Sequence, residues 1–117
     1  MPYIDGFVAA VPSDRKEDFI AFSHKVFPIM KEFGVLKAID CWGDDVPEGE
    51  VTSFPMAVKC EKGETVVFSW QIWPDKATRD VGMAKMREDP RFQSDDMVMP
   101  FDGKRLIYGG FDMIVDL

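Results

Sequence analysis

The sequence has few of the residues that build metal, disulfide or nucleic-acid sites. Its 117 residues include two cysteines and one histidine, and 14 basic residues stand against 21 acidic ones, for a net charge of −7. Because an acidic surface repels phosphates, we expect no binding to nucleic acids. Cys41 and Cys60 have no zinc-ligand spacing and are expected to be buried free thiols. The sequence predicts no metal site and no cofactor.

Long hydrophobic runs are also lacking. Crossing a bilayer takes about 20 apolar residues, and no stretch of the sequence approaches that length. The first residues, MPYIDGFVAAVP, have no positive region of the secretory kind. These absences predict a cytoplasmic protein without a membrane segment. Its length suits a single domain over residues 1–117, and ten Phe with three Trp indicate a well-filled core or an additional apolar surface.

Apolar periodicity predicts the strands. Runs rich in β-formers are expected to form strands at 3–11, 35–42, 65–73 and 105–115. The run PMAVKCE, residues 55–61, is interpreted as a further short strand. The intervening segment GDDVPEGEVTSFP is a loop by composition, because it is rich in Pro, Gly and acids.

Two helices are expected between these strands. The first follows from apolar residues at helical spacing, with Asp14 or Ser13 as its cap and Gly34 after its end. A bend is expected near residues 24–28, since Pro28 removes a helix hydrogen bond. The second helix begins after Asp75 and extends to about Arg87. The apolar residues of the first helix are Phe19, Phe22, Val26, Ile29 and Phe33.

The order β-α-β, acidic loop, β-α-β predicts the fold class. Two split βαβ units in one short chain are typical of the α+β ferredoxin-like fold. That fold has a four-stranded antiparallel sheet with both main helices on one face. The first and third strands are then the central neighbours, and the last strand lies at an edge beside the first.

Both faces of the predicted sheet are largely apolar. In residues 65–73, for example, Val66, Phe68, Trp70 and Ile72 share one face, and Val67 and Trp73 lie on the other. Two helices cover only one face, so we expect a second copy of the chain to cover the other, forming a homodimer through the sheet face. The alternative is that connections such as 90–100 fold across it.

Polar residues interrupt these apolar strands. They are Asp5, Ser69, Gln71, Tyr108 and Asp112. Each is either an edge or hydrogen-bonded core residue, or part of a cavity with apolar walls that binds a small apolar ligand. The candidate ligand-binding residues are Asp5, Trp70, Tyr108 and Asp112, and no catalytic residue is assigned.

Three further features carry local predictions. Gly109 and Gly110 weaken the last strand and are expected to make room for an aromatic side chain or a ligand. His24 lies off the apolar stripe of the first helix and is expected to face solvent. Arg79 is interpreted as an ordinary helix-face charge. The pair Lys104-Arg105 is expected to bind the acidic loop at 44–50 or to remain an ordinary turn charge.

Several strings together resemble a known family. MPYIDGFV, CWGDDVPEGEVTSFP, ETVVFSW and MPFDGKRLIYGGF are similar to signature segments of the YbaA-like family of uncharacterised bacterial proteins. Trp42 stands where a smaller apolar residue is expected. The resemblance covers the whole chain and implies a ferredoxin-like fold of the dimeric α/β-barrel kind, without an established activity, cofactor or catalytic residue.

The function stays open between two classes. Other dimeric α/β-barrel families include cofactor-free monooxygenases, isomerases and haem enzymes, but a fold does not determine a reaction. One class is a small-molecule-binding protein or cofactor-free enzyme. The other is a non-catalytic dimeric structural or interaction module.

Overall fold

Four antiparallel strands form one sheet. The computed structural model describes residues 1–117 in full. The strands are β1 (Tyr3–Pro12), β2 (Lys37–Trp42), β3 (Glu64–Trp73) and β4 (Ile107–Asp112). Their order is β2-β3-β1-β4, so β1 and β3 are central and β2 and β4 are the edges. This confirms the predicted α+β arrangement with an antiparallel sheet. The sheet of a single chain is open and does not close into a barrel.

Three α-helices connect the strands: α1 (Lys16–Glu32), α2 (Phe54–Ala57) and α3 (Lys76–Glu88). The cap of α3 is confirmed, since the Asp75 carboxylate accepts a hydrogen bond from the Thr78 N–H at 2.7 Å. The predicted cap of α1 is wrong, because no side chain caps that helix. The Ser13 hydroxyl instead hydrogen-bonds the Thr65 hydroxyl at 2.6 Å. Pro28 lies inside the continuous helix, on its exposed side.

The predicted strand at 55–61 is wrong, because this segment begins with the single helical turn α2. The Ser53 hydroxyl accepts a hydrogen bond from the Met56 N–H at 3.1 Å, and Pro55 lies in the first turn. A serine cap followed by proline is a helix start, and here it prevails over the apolar run.

Strand β4 is shorter than the predicted 105–115. The register pairs Asp112 with Tyr3, where β1 begins. Residues after Asp112 therefore have no β1 partner, and the strand ends there.

The main core lies between the sheet and the helices. One cluster surrounds the fully buried Trp73, and a second surrounds Val11. The connection after α3 packs against the same side through Phe92, Met97 and Phe101. The alternative that this connection folds across the opposite face is therefore wrong.

The opposite face is covered at one end only. Val58, in the segment 54–60 that contains α2, is buried against Val8, Ala10 and Val66. The rest of this face is exposed or half-buried, and we call it the open face. Its apolar side chains are Ile4, Ile39, Phe68, Trp70, Ile72, Ile107 and Phe111.

Candidate functional site

The strand register shows where the polar candidates lie. Directly paired residues share a face, and the register pairs Asp5 with Gln71 and Phe7 with both Ser69 and Tyr108. The five interrupting polar residues therefore all lie on the helix-covered face. These residues are Asp5, Ser69, Gln71, Tyr108 and Asp112.

The four sequence candidates do not meet at one site. Asp5 is buried on the helix-covered face, whereas Tyr108 and Asp112 are exposed on the edge strand β4. Trp70 lies on the open face, beside Phe68 at a ring-centroid distance of 5.5 Å. Only Asp5 belongs to a dense polar cluster.

Asp5 is held by two side chains, those of Trp73 and Arg79. Its Oδ2 accepts a hydrogen bond from the Trp73 indole N–H at 2.8 Å. The Arg79 guanidinium donates to the carboxylate through Nη2 at 2.8 Å and through Nε at 3.1 and 3.2 Å. The same guanidinium lies over the Tyr3 ring, 5.3 Å from its centroid. We call these four residues the Asp5 cluster.

The Asp5 cluster fixes the charge of Arg79. Hydrogen bonding to the Asp5 carboxylate is the main reason that the pKa of Arg79 is raised above its ordinary value, and a bond to Asp80 adds to it. All donor and acceptor atoms of buried side chains in the chain have a partner. The Asp5 carboxylate is therefore occupied as an acceptor, and the cluster attaches α3 to β1 and β3.

Gly110 is required by this cluster. A Cβ atom at Gly110 would lie 2.7 Å from a Tyr3 ring carbon and 2.9 Å from Arg79 Nη2, and it would also collide with the Tyr3 hydroxyl. Such contacts do not occur without movement of the ring. At Gly109, on the open face, a Cβ would meet only the Phe111 ring, at 3.4 Å. The glycine pair therefore makes room for an aromatic side chain, as expected, and the position that needs it is Gly110.

Gly82 gives α3 a similar close approach on the other side of Trp73. A Cβ there would lie 2.6 Å from the Phe33 carbonyl oxygen and 2.7 Å from the Trp73 ring. Helix α3 can thus pack against the indole only with glycine at this position.

The sequence interpretation of Arg79 as an ordinary surface charge was wrong. Its Asp5 partner is 74 positions away, which no local pattern reveals.

A second feature is a groove between α1 and the edge strand β2. It has a volume of about 370 Å³ and is lined by nine residues: Phe19, Ile20, Ser23, His24, Phe27, Leu36, Lys37, Ala38 and Asp40. It opens at the sheet edge, where the inward-facing β2 residue Ala38 is small. His24 is exposed, as expected, and its placement at this groove was not predicted.

The polar side chains of the groove are available to a ligand. Ser23, His24, Lys37 and Asp40 take no part in the side-chain hydrogen bonds or ion pairs of the chain. Apolar walls with a few available polar groups are typical of small-molecule sites, whose volumes begin near 300 Å³.

The structure also corrects the sequence expectations for the two cysteines and for Arg105. Cys41 is exposed and not buried, because it lies on the open side of the edge strand β2. Cys60 is half-buried, and both thiols are free. Arg105 binds Glu64 at 2.6 and 2.8 Å and does not pair with the acidic loop at 44–50. No group of three or more His, Cys, Asp or Glu residues is arranged to hold a metal ion.

The chain matches a known protein family. The profile of the family described as "Protein of unknown function (DUF1428)" matches residues 2–103. The chain belongs to this family. It is 53% identical over 116 residues to the uncharacterized protein YbaA of Escherichia coli strain K12 and to its counterpart in Shigella flexneri, covering 99% of each chain. The resemblance seen in the sequence is thereby confirmed.

A solved structure supports the fold. The crystal structure of a dimeric ferredoxin-like protein from an uncultured marine organism superposes with a TM-score of 0.63, covering 100% of both chains at 15% identity. At that identity the likeness shows the fold alone. No helix of the present chain has the length and apolar character needed to span a membrane.

Proposed function

We propose that the protein acts as a homodimer that binds a small, mostly apolar molecule. The open face joins the two copies, and the groove between α1 and β2 is the ligand site. The observation that carries the proposal is the open face itself: four paired strands present apolar side chains that nothing in the chain covers.

The open face is suited to a second copy of itself. Phe54, Phe68 and Trp70 form an aromatic row with centroid distances of 5.8 and 5.5 Å. The charged residues of its strands lie at the ends: Lys37 starts β2, and Glu64 starts β3 and is paired with Arg105. Two chains of net charge −7 can therefore approach through this face with little like-charge contact. The marine neighbour of the same fold is described as dimeric.

Light scattering after size exclusion tests the assembly. The wild type should have about twice the chain mass of 13.3 kDa, and Phe68→Asp should give a folded monomer, because it buries a charge in the interface. The matched control is Val81→Asp, which replaces an apolar residue of similar exposure on α3 and should stay dimeric. A monomeric wild type at micromolar concentration would contradict the proposal.

The ligand site is tested by a thermal-shift screen of small aromatic and aliphatic acids and amines. A compound present at 100 times its dissociation constant stabilises the fold by about 2.7 kcal/mol. Ala38→Leu should fill the groove and abolish that shift, whereas Ala84→Leu, on the exposed side of α3, should keep it.

The second candidate is a non-catalytic dimeric module. It is supported by the Asp5 cluster, whose polar groups are engaged within the chain and hold α3 against the sheet. A dimer that no compound of the screen stabilises would favour it. Both candidates fit a cytoplasmic protein, because an exposed free thiol such as Cys41 persists best in a reducing compartment.

A further inference from the structure

The segment 113–117, which follows β4, has apolar side chains without partners in its own chain. Ile114 is 86% exposed, Val115 is 64% exposed and Leu117 is fully exposed. The segment has no regular secondary structure and takes no part in the turn or loop hydrogen bonds. Since β1 begins opposite Asp112, its own sheet offers nothing further to pair with.

The opposite edge strand of the sheet, β2, also lacks a partner on one side. Strand β2 pairs only with β3, so its outer backbone groups have no strand partner. Beside it lie the groove and Leu36, which is 60% exposed. An edge strand of this kind is a template for an added strand, with backbone hydrogen bonds giving affinity and alternate side chains filling neighbouring pockets.

A face-to-face dimer can bring these two features together. With the order β2-β3-β1-β4, a two-fold axis along the strands places β4 of one copy opposite β2 of the other. Packed sheets lie about 10 Å apart, and five extended residues span roughly 17 Å. Such an axis keeps each residue at its level along the strands, and Asp112, which is level with Tyr3 and Trp73, then lies level with Leu36 of the other copy. The segment is therefore long enough to cross to the start of β2 in the other sheet.

Charge also favours this partner. Asp116 lies within the segment, and Lys37, at the start of β2, is exposed and has no ion pair in its own chain. A segment that reaches the start of β2 would bring these opposite charges to the same edge.

We propose that residues 113–117 of one copy pack against the start of β2 in the other copy and cover the exposed Leu36 there. This inference rests on the homodimer proposed above. It assigns to the segment the role of an exchanged arm that joins the two subunits beyond the sheet faces.

Crosslinking between two single-cysteine proteins tests the contact. One protein carries Cys41→Ser, Cys60→Ser and Lys37→Cys, which places its thiol at the start of β2. The other carries Cys41→Ser, Cys60→Ser and Val115→Cys. After subunit exchange, a short bismaleimide should link the two into a mixed dimer, identified by mass. In the control, Lys85→Cys on α3 replaces Val115→Cys and should give no mixed product.

The outcomes separate this inference from the proposed homodimer. A wild type that is monomeric by light scattering overturns both. Dimers in which position 37 links to position 115 no better than to position 85 overturn the exchanged segment alone.

Deleting residues 113–117 gives a second measurement. Removing the buried apolar side chains should raise the dimer dissociation constant about tenfold or more, with an unchanged circular dichroism spectrum. A dissociation constant equal to that of the wild type would contradict the proposal.

Discussion

The two faces of the sheet differ in the side chains they carry and in whether the rest of the chain covers them. The helix-covered face holds the polar residues Asp5, Ser69 and Gln71, and its buried polar groups are all paired within the chain. The open face holds apolar side chains and lacks a cover. In this molecule, the buried polar residues of the strands take part in contacts within the fold. The apolar residues of the open face form the surface that is available for association.

The physical reason lies in the cost of desolvation. A carboxylate as buried as Asp5 is tolerated only with donors supplied by the same fold, and Trp73 and Arg79 supply them. Apolar side chains such as Phe111 need no specific partner and can be covered by any apolar surface of fitting shape. The Asp5 carboxylate obtains its donors during folding, whereas the apolar side chains of the open face can be covered afterwards, when two chains associate.

The largest expected effect comes from breaking the Asp5 cluster. Arg79→Met leaves the buried carboxylate without its counter-charge and should lower the free energy of unfolding by about 3 kcal/mol. The matched control is Lys85→Met on the same helix, which is exposed and unpaired and should change stability little. Urea denaturation measures both. Equal effects of the two variants would mean that the ion pair does not hold α3 in place.

Substitutions of the adjacent Gly109 and Gly110 compare the packing on the two faces directly. Gly110→Ala puts a methyl group against the buried Tyr3 ring and Arg79 and should cost about 2 kcal/mol. Gly109→Ala meets only Phe111, which is 61% exposed and can turn away, so its effect should stay below about 1 kcal/mol. The same denaturation assay distinguishes them. If Gly110→Ala is the more stable variant, close packing is not the reason for that glycine.

An open-face substitution should act on association more than on the fold. For a dimer, the melting temperature rises with protein concentration, by about 3 °C for each tenfold increase in a chain of this size. Phe111→Ser should remove that dependence. Arg79→Met should lower the melting temperature by a similar amount at every concentration. A wild-type melting temperature that is independent of concentration would argue against the dimer.

Local patterns were enough to predict most of the fold. The four main strands and α3 with its Asp75 cap follow from residue period and capping, which involve neighbours in sequence. The start of α2 also has a local signal in the Ser53 cap and Pro55, whereas the apolar residues around it favour a strand.

The site could not be predicted in the same way. Asp5 meets Arg79 across 74 positions and Trp73 across 68, and the face on which it lies depends on the register between strands. A shift of one residue would move Asp5 to the open face, so the sequence alone left a ligand-binding role open beside the structural one. The register also placed Cys41 at an exposed edge.

The smallest effect concerns the covered end of the open face. Arg105 binds both Glu64 oxygens and donates to the Lys59 carbonyl oxygen at 2.9 Å, which ties β3 to the segment 54–60. The hydrogen bonds from Arg105 are the main reason that the pKa of Glu64 is lowered. Its carboxylate therefore stabilises the fold fully above the ordinary pKa of about 4.3, and this contribution is lost as the pH falls through the lower value in the folded state. Glu64→Gln should be less stable than the wild type at neutral pH and should approach it in acid, whereas Glu61→Gln, at an exposed site without an ion pair, should show no such convergence. Thermal melts between neutral pH and about pH 3 measure this, and a difference that does not change with pH would mean that Arg105 holds the segment without help from the charge of Glu64.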